Sequence, residues 1–333
     1  MGRLLRSLVA SQVAEPLGAR GRGLAPGGQC RQRSHDPRPV RPLHSAPRYG
    51  VVIGLVTDSN AQLPDALAEE LGIAVVPLVV SIDGRSHLEG VDLDVDDFYE
   101  SLAAGAEIAT SQPSPGEIAG VYRRLVEAGA EEIVSVHVAE AFSGTLNSAR
   151  LAAAAVEVPV HLVDSGHMSF SLGCCAWSAA EARESGSAAE EMVARIRDVS
   201  AVVRNAFVME SVARARVGGR VPDRVLNGIE ARPGVPVLEM AGSDLTVLGE
   251  ARSEDSAVDM MIGALESSLA ADPRHEVNVG VGGGSAATFG LTDLLTRRVE
   301  ATEGVARVVR YRCGPTVGAF SGPGVAGLVW YPR

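Results

Sequence analysis

Lysine is absent from the 333-residue chain, so all 30 basic side chains are arginines. Aromatic residues make up 4% against 46% hydrophobic residues in all, which leaves a core of small aliphatic side chains. Cysteines number four; Cys174 and Cys175 are adjacent, Cys30 lies near the N-terminus, and none has metal-ligand spacing. Reduced, buried thiols in a cytoplasmic protein are the simplest account. No apolar run approaches the roughly 20 residues of a membrane-spanning helix. The positive footprint of non-specific nucleic-acid binding is missing too, because the net charge is −11. The expectation is a soluble protein with no nucleic-acid partner, no membrane span and no cofactor.

The charge is uneven. Residues 1–50 hold nine arginines and only two acids, Glu15 and Asp36, leaving 21 basic against 39 acidic residues in the rest. This first segment is rich in Gly, Pro, Ser and Gln and reads as a disordered extension, with some character of an organellar transit peptide. From residue 51 strands and helices alternate. "VVIGLVTDS" reads as a strand buried on both faces, "PDALAEELG" as a helix, and "IAVVPLVVSI" as a strand interrupted by Pro77. Helices follow at "DVDDFYESLAAG" and "SPGEIAGVYRRLVEAGA", then the strand "EIVSVHVA", the helix "GTLNSARLAAAAV" and the strand "VPVHLVDS". Such alternation predicts a three-layer α/β/α domain with a mostly parallel sheet over residues 51–203. After about residue 203 the texture changes to an α+β domain with a mixed sheet, residues 204–333.

In parallel sheets ligands bind beyond the carboxyl ends of the strands. Asp58-Ser59, Ser143-Gly144-Thr145 and Asp164-Ser165 each follow a strand, and Thr110-Ser111 precede a helix. In "TSQPSPGE", Ser114 suits an N-cap, Pro115 the first helical position and Glu117 the far side of a capping box. In "SGT", Ser143 as a cap and Gly144 in a tight turn need no ligand. Two such helix starts bearing Thr110, Ser111, Ser143 and Thr145 would together form an anion pocket without a fixed positive charge. Hydroxyls and amides keep a carboxylate ionised in a dry site through hydrogen bonds.

Other motifs have plain readings. The glycine run "GVGGGSAATFG" lacks a following lysine and any G-x-G-x-x-G, so Gly280, Gly282, Gly283 and Gly284 read as a strand end and a close-packed turn. No G-x-S-x-G elbow is present. His137 alternates with apolar residues as a packed strand histidine, and His167 is the one histidine kept as a candidate base; with Asp58 and Asp164 on the same rim, the alternative function is a small-molecule acyl or phosphoryl enzyme. Arg214, Arg216 and Arg220, around "VGGR", make a local basic patch: a solvated face or a docking spot for an acidic partner.

Taken in order, "VTDSNAQLP", "TSQPSPGEIAGVYRRL", "SVHVAEAFSGTLNSA", "HLVDSGHMSFSLG", "VGGRV" and "GAFSGPGVAG" resemble the bacterial DegV family from about Val51 to the C-terminus. The resemblance implies two α/β domains with a long-chain fatty acid between them. Thr110, Ser111, Ser143, Gly144 and Thr145 would hold its carboxylate, and an enclosed apolar pocket its tail. It further implies a non-catalytic role in phospholipid metabolism: the substrate-binding half of a fatty acid kinase, presenting the carboxylate to a separate ATP-dependent subunit. Asp58 and the VGGR arginines would then be docking surface. One position departs: the family's last turn reads like V-G-x-H-x-G-P-G, whereas here Phe320 stands in "VGAFSGPG", before Gly322, so the ligand-proximal histidine is replaced. A tail of about 14 methylenes at ~0.8 kcal/mol each would contribute roughly 11 kcal/mol gross, enough to supply affinity while hydroxyls only orient the head.

Overall fold

The computed structural model describes residues 51–333 apart from 210–211, 220, 222, 231–233, 242–243 and 272–275. The extension expected over residues 1–50, and Arg220, lie outside the described residues. In chain order the first half runs β1 (Ile53–Asp58), α1 (Asp65–Glu70), β2 (Ile73–Val76), β3 (Val79–Ile82), β4 (Arg85–Leu88), α2 (Val95–Ala103), β5 (Ile108–Ser111), α3 (Pro115–Glu127), β6 (Glu132–His137), α4 (Thr145–Ala153), β7 (Val160–Asp164), α5 (Phe170–Glu184) and α6 (Ala189–Val202). The second half runs β8 (Arg204–Val208), α7 (Val212–Gly218), α8 (Asp223–Glu230), β9 (Val235–Ala241), β10 (Asp244–Ala251), α9 (Glu254–Ala271), β11 (Val277–Gly283), α10 (Phe289–Glu300), β12 (Val305–Arg312), α11 (Pro315–Ser321) and β13 (Ala326–Pro332).

The molecule is mixed α/β with two large sheets. The first, ordered β2-β1-β6-β7, is wholly parallel. Its strands alternate between two cores. Val56 and Ile133 face Ile118, Tyr122 and Leu125 of α3 and Ala149 of α4, while Leu55, Val134 and Val136 face α5 and α6. The second sheet, ordered β10-β9-β8-β13-β11-β12, is mixed: β11 and β12 are parallel and the other pairs antiparallel. One of its faces is covered by α9 and α10.

The two sheets share α5. Every residue from Phe170 to Ala180 is buried, the pattern of a helix with no solvent face. Residues of β12 and β13 (Val309, Tyr311, Val329, Tyr331) belong to the same core as β1 and β6. Phe170 stacks on Tyr311 at 4.4 Å, and Trp177 meets Tyr331 edge-on at 5.8 Å. The glycine run explains itself here. A Cβ on Gly280 would lie 2.4 Å from the Phe170 ring, and one on Gly282 would lie 2.1 Å from Tyr311. These glycines let two rings rest on bare strand backbone.

Pro77 does more than interrupt a strand. Lacking an N–H for the ladder, it ends β2 in the parallel sheet, and the chain re-forms as β3 in a separate antiparallel sheet, β4-β3-β5. This small sheet packs Val80 and Ile108 against Phe98, Tyr99 and Leu102 of α2 and Ala319 of α11. Neither this sheet nor α11 follows from the sequence pattern.

Candidate functional site

Thr110 and Ser111 end β5, paired with Val80 and Val79 of β3. The capping box forms as the sequence predicts: Ser114 Oγ accepts from Glu117 N at 3.2 Å, and Glu117 Oε2 accepts from Ser114 N at 2.7 Å. At the start of α4, Gly144 directly precedes the helix with an ordinary right-handed backbone (φ −76°, ψ 8°), and the Ser143 hydroxyl supplies the side-chain cap, as the sequence predicts. Ser143 Oγ accepts from Thr145 N at 3.3 Å and shares a 2.8 Å hydrogen bond with Thr145 Oγ1. Gly144 is therefore not needed for a special turn. The Gln112 amide lies directly over it: a Cβ there would sit 2.9 Å from Gln112 Oε1 and 3.0 Å from Cδ. That contact brings the TSQ and SGT segments together, and Gln112 is a residue the sequence reading left out.

The hydroxyls differ in exposure: Thr145 is buried, Thr110 and Ser143 are partly buried, and Ser111 and Gln112 are exposed. Backbone and side-chain bonds tie together three segments that each carry an apolar side chain. Phe142 N and Ser143 N donate to Ala139 O, and Ala139 N donates to His167 O at 2.8 Å. Asn60 then ties the start of α5 to α11, accepting from Ser169 N at 2.9 Å and donating to Thr316 Oγ1 at 3.1 Å. Phe142, Met168 and Val317, one from each of these segments, pack on the shared core while staying partly exposed.

Phe320, on α11, lies against Gly218 at the end of α7, where a Cβ would be 2.5 Å from the ring. Gly322 stops α11 with φ 82°, a left-handed backbone that favours glycine. Its sequence-assigned place near a ligand thus has a local structural cause as well.

Asp58 is not docking surface. It is fully buried, with Oδ2 accepting from Val138 N at 2.9 Å and bonded to His137 Nδ1 at 3.0 Å. The chain continues from His137 Nε2 to Ser135 Oγ at 2.8 Å, which accepts from Tyr122 Oη at 2.9 Å. Burial pushes the Tyr122 hydroxyl up to about 12, and the neighbouring Ser135 bond only partly offsets this. An Asp-His-Ser sequence of bonds invites comparison with a nucleophilic triad, but all three side chains are at 0% exposure and the serine oxygen is occupied by Tyr122. The network braces the rim from within.

The other rim residues do not assemble a base and nucleophile. Exposed Asp164 accepts from Gly166 N at 2.9 Å and Glu140 N at 3.3 Å. His167 is buried and donates from Nε2 to Ser200 O at 2.8 Å; burial holds its imidazole below the usual histidine range. Arg216 pairs with Asp223 at 2.7 Å and bonds Asn227, and Arg214 reaches the Leu102 carbonyl at 3.4 Å. Glu132, His161 and Glu190 bring ligand-type atoms within 4.8 Å of one another, a grouping invisible in sequence spacing, with His161 and Glu132 already bonded at 2.7 Å.

A large open cleft of about 1630 Å³ runs between the two halves, lined by Ser59, Gln62, Glu89, Tyr311 and Arg312 among others. None of Thr110, Ser111, Ser143, Gly144 and Thr145 lines it. Glu89 carries no signal in the sequence. It is 5% exposed and accepts from Ser59 Oγ at 2.5 Å and from Thr316 N and Oγ1 at 2.8 Å. Burial pushes its carboxyl above the usual carboxylate range, against the opposing pull of these donors.

Comparison with known proteins agrees with this architecture. Residues 52–333 match the family described as uncharacterised proteins of the DegV family. A DegV domain-containing protein of Streptomyces coelicolor is 31% identical over 278 residues, covering 83% of this chain and 97% of the relative. One from Listeria monocytogenes is 28% identical, covering 84% and 98%. Among solved structures, a DegV family protein from Thermus thermophilus, described as binding fatty acid, superposes with a TM-score of 0.76 at 27% identity, covering 85% of this chain and all of that one. DegV from Bacillus subtilis, described as a fatty acid binding protein, has the same fold (TM-score 0.75, 23% identity, 85% and 100% covered). The chain belongs to the DegV family.

Proposed function

We propose that the protein holds a long-chain fatty acid, with its carboxylate among Thr110, Ser111, Ser143, Gly144 and Thr145 and its tail passing over Phe142, Met168 and Val317. The observation that carries this reading is the Gln112 amide lying on Gly144, which joins two hydroxyl-bearing helix starts into one place. The N-termini of α3 and α4 favour negative charge there, and neutral hydroxyls orient a carboxylate without an arginine clamp. The fatty-acid-binding Thermus protein, at 27% identity over its full length, supports the same ligand class. Exposure of Ser111 and Gln112 leaves the head group at an open rim. The protein accordingly presents the carboxylate to a separate ATP-dependent fatty acid kinase in the cytoplasm, for phospholipid metabolism, and catalyses no step itself.

Native mass spectrometry and palmitate titration test the reading. The purified protein carries or takes up one fatty acid. Ser143→Ala removes one donor from the charged carboxylate and weakens palmitate by about 1.5–3 kcal/mol, roughly 10- to 150-fold. A protein that neither carries nor accepts a fatty acid contradicts the reading, and an unchanged affinity in Ser143→Ala moves the head group elsewhere.

A further inference from the structure

Residues 312–316, which lead into α11, are fastened to the first half of the chain by an unusual density of buried polar contacts. Tyr99 Oη donates to Cys313 O at 2.8 Å, and Gln62 Oε1 accepts from Gly314 N. Glu89 Oε1 accepts from Thr316 N at 2.8 Å, and both Glu89 oxygens lie within hydrogen-bond distance of Thr316 Oγ1 (3.0 and 2.8 Å). Thr316 Oγ1 in turn accepts from Asn60 Nδ2. Ser59 Oγ accepts from Leu78 N at 2.9 Å, which leaves its proton for Glu89. Asn60, Gln62, Glu89, Tyr99 and Thr316 are each 7% exposed or less. Gln62 keeps a left-handed backbone (φ 54°), rare for a residue with a side chain, while making these bonds.

A seven-residue helix containing Gly318 does not hold itself together. The amide of its first turn needs an external acceptor, and Glu89 supplies it. What α11 carries makes its position matter: Val317 beside the shared core, Ala319 in the same cluster as Ile108 of β5, and Phe320 on Gly218. The helix is thus a wall set against the strand that ends in Thr110 and Ser111, bolted from its far end.

We propose that Glu89 is a positioning residue of the acyl site, acting through Thr316 to fix α11 against β5. The inference rests on the fatty-acid reading above. Its test uses the protein labelled with 4-fluorophenylalanine, whose six phenylalanines give resolvable 19F resonances; Phe320→Leu assigns the Phe320 signal. Glu89→Ala shifts that signal, leaves the core Phe170 signal in place and weakens palmitate by about tenfold or more. Glu89→Gln keeps a carbonyl acceptor for Thr316 N and restores both the signal and an affinity within about threefold of the parent. Where Glu89→Ala does not fold, Thr316→Val, which deletes the hydroxyl at nearly constant shape, carries the same two readouts. An unmoved Phe320 signal, or unchanged palmitate affinity, overturns the proposal. Wild-type protein that takes up no palmitate brings down the acyl reading and this proposal with it; palmitate uptake with an indifferent Phe320 signal brings down the positioning role alone.

Discussion

Substituting Gly282 by alanine tests whether the glycine run is a packing surface. The added methyl would stand 2.1 Å from Tyr311 Cζ, with two further ring atoms at 2.4 and 2.6 Å. Tyr311 has little room to withdraw, because Phe170 stacks on it with an interplanar angle of 9° and itself lies on Gly280. Neither ring is the free end of a flexible chain, so the strain falls on backbone or on the shared core. Overpacking of this kind costs about 1–3 kcal/mol, and the depth of the overlap puts Gly282→Ala near the upper end. At about 2–4 °C per kcal/mol for a domain of this size, the melting temperature falls by roughly 6–12 °C. Urea unfolding with Tyr311→Leu as partner completes a double-mutant cycle, since a smaller side chain at 311 makes room for the methyl. The two changes are then less costly together than their sum by about 1 kcal/mol or more. A variant as stable as the parent refutes the packing argument.

Two further perturbations probe the polar interior. His167 binds its proton less readily folded than unfolded, because burial outweighs the opposing effects of the Ser200 carbonyl and Asp164. The stability contributed by its neutral form is complete above the unfolded value of about 6.5 and is lost as pH falls below it; urea midpoints from about pH 7.5 to pH 5 therefore fall less in His167→Gln than in the parent. Ser135→Ala strips an acceptor from buried Tyr122 Oη and a partner from His137 Nε2, costing about 1–3 kcal/mol for each group left unsatisfied. Equilibrium unfolding measures it, and a loss below about 0.5 kcal/mol would show that the network contributes little.

Local chemistry was legible where it is local. The all-buried run of β1 and the Ser114–Glu117 capping box follow from patterns a few residues long. The glycines at 280 and 282 were readable as close packing, though not what they pack against. The small antiparallel sheet was hidden because its strands are four residues each, too short for a periodicity to register. In α11, Pro315 at its start and the glycine stop at Gly322 were available signals, but Gly318 masked them. That glycine is there for another reason: a Cβ would stand 2.5 Å from Tyr99 Oη. Glu89 left no trace, since an isolated polar residue forms no motif and Thr316 lies 227 positions away; Asn60 and Gln62 stand inside "VTDSNAQLP", but nothing local ties them to Thr316 and Gly314. Asp58 was visible as a rim residue, but its burial depends on His137 and Val138, some 80 positions away.

The most direct test of the central claim is a crystal structure of the protein soaked or grown with palmitate. The account predicts carboxylate oxygens within about 3.2 Å of the Ser143 or Thr145 hydroxyl and of a hydroxyl from Thr110 or Ser111, with the first methylenes over Phe142 and Val317. Acyl density seated instead in the open cleft beside Glu89 and Arg312, with these hydroxyls untouched, would contradict it.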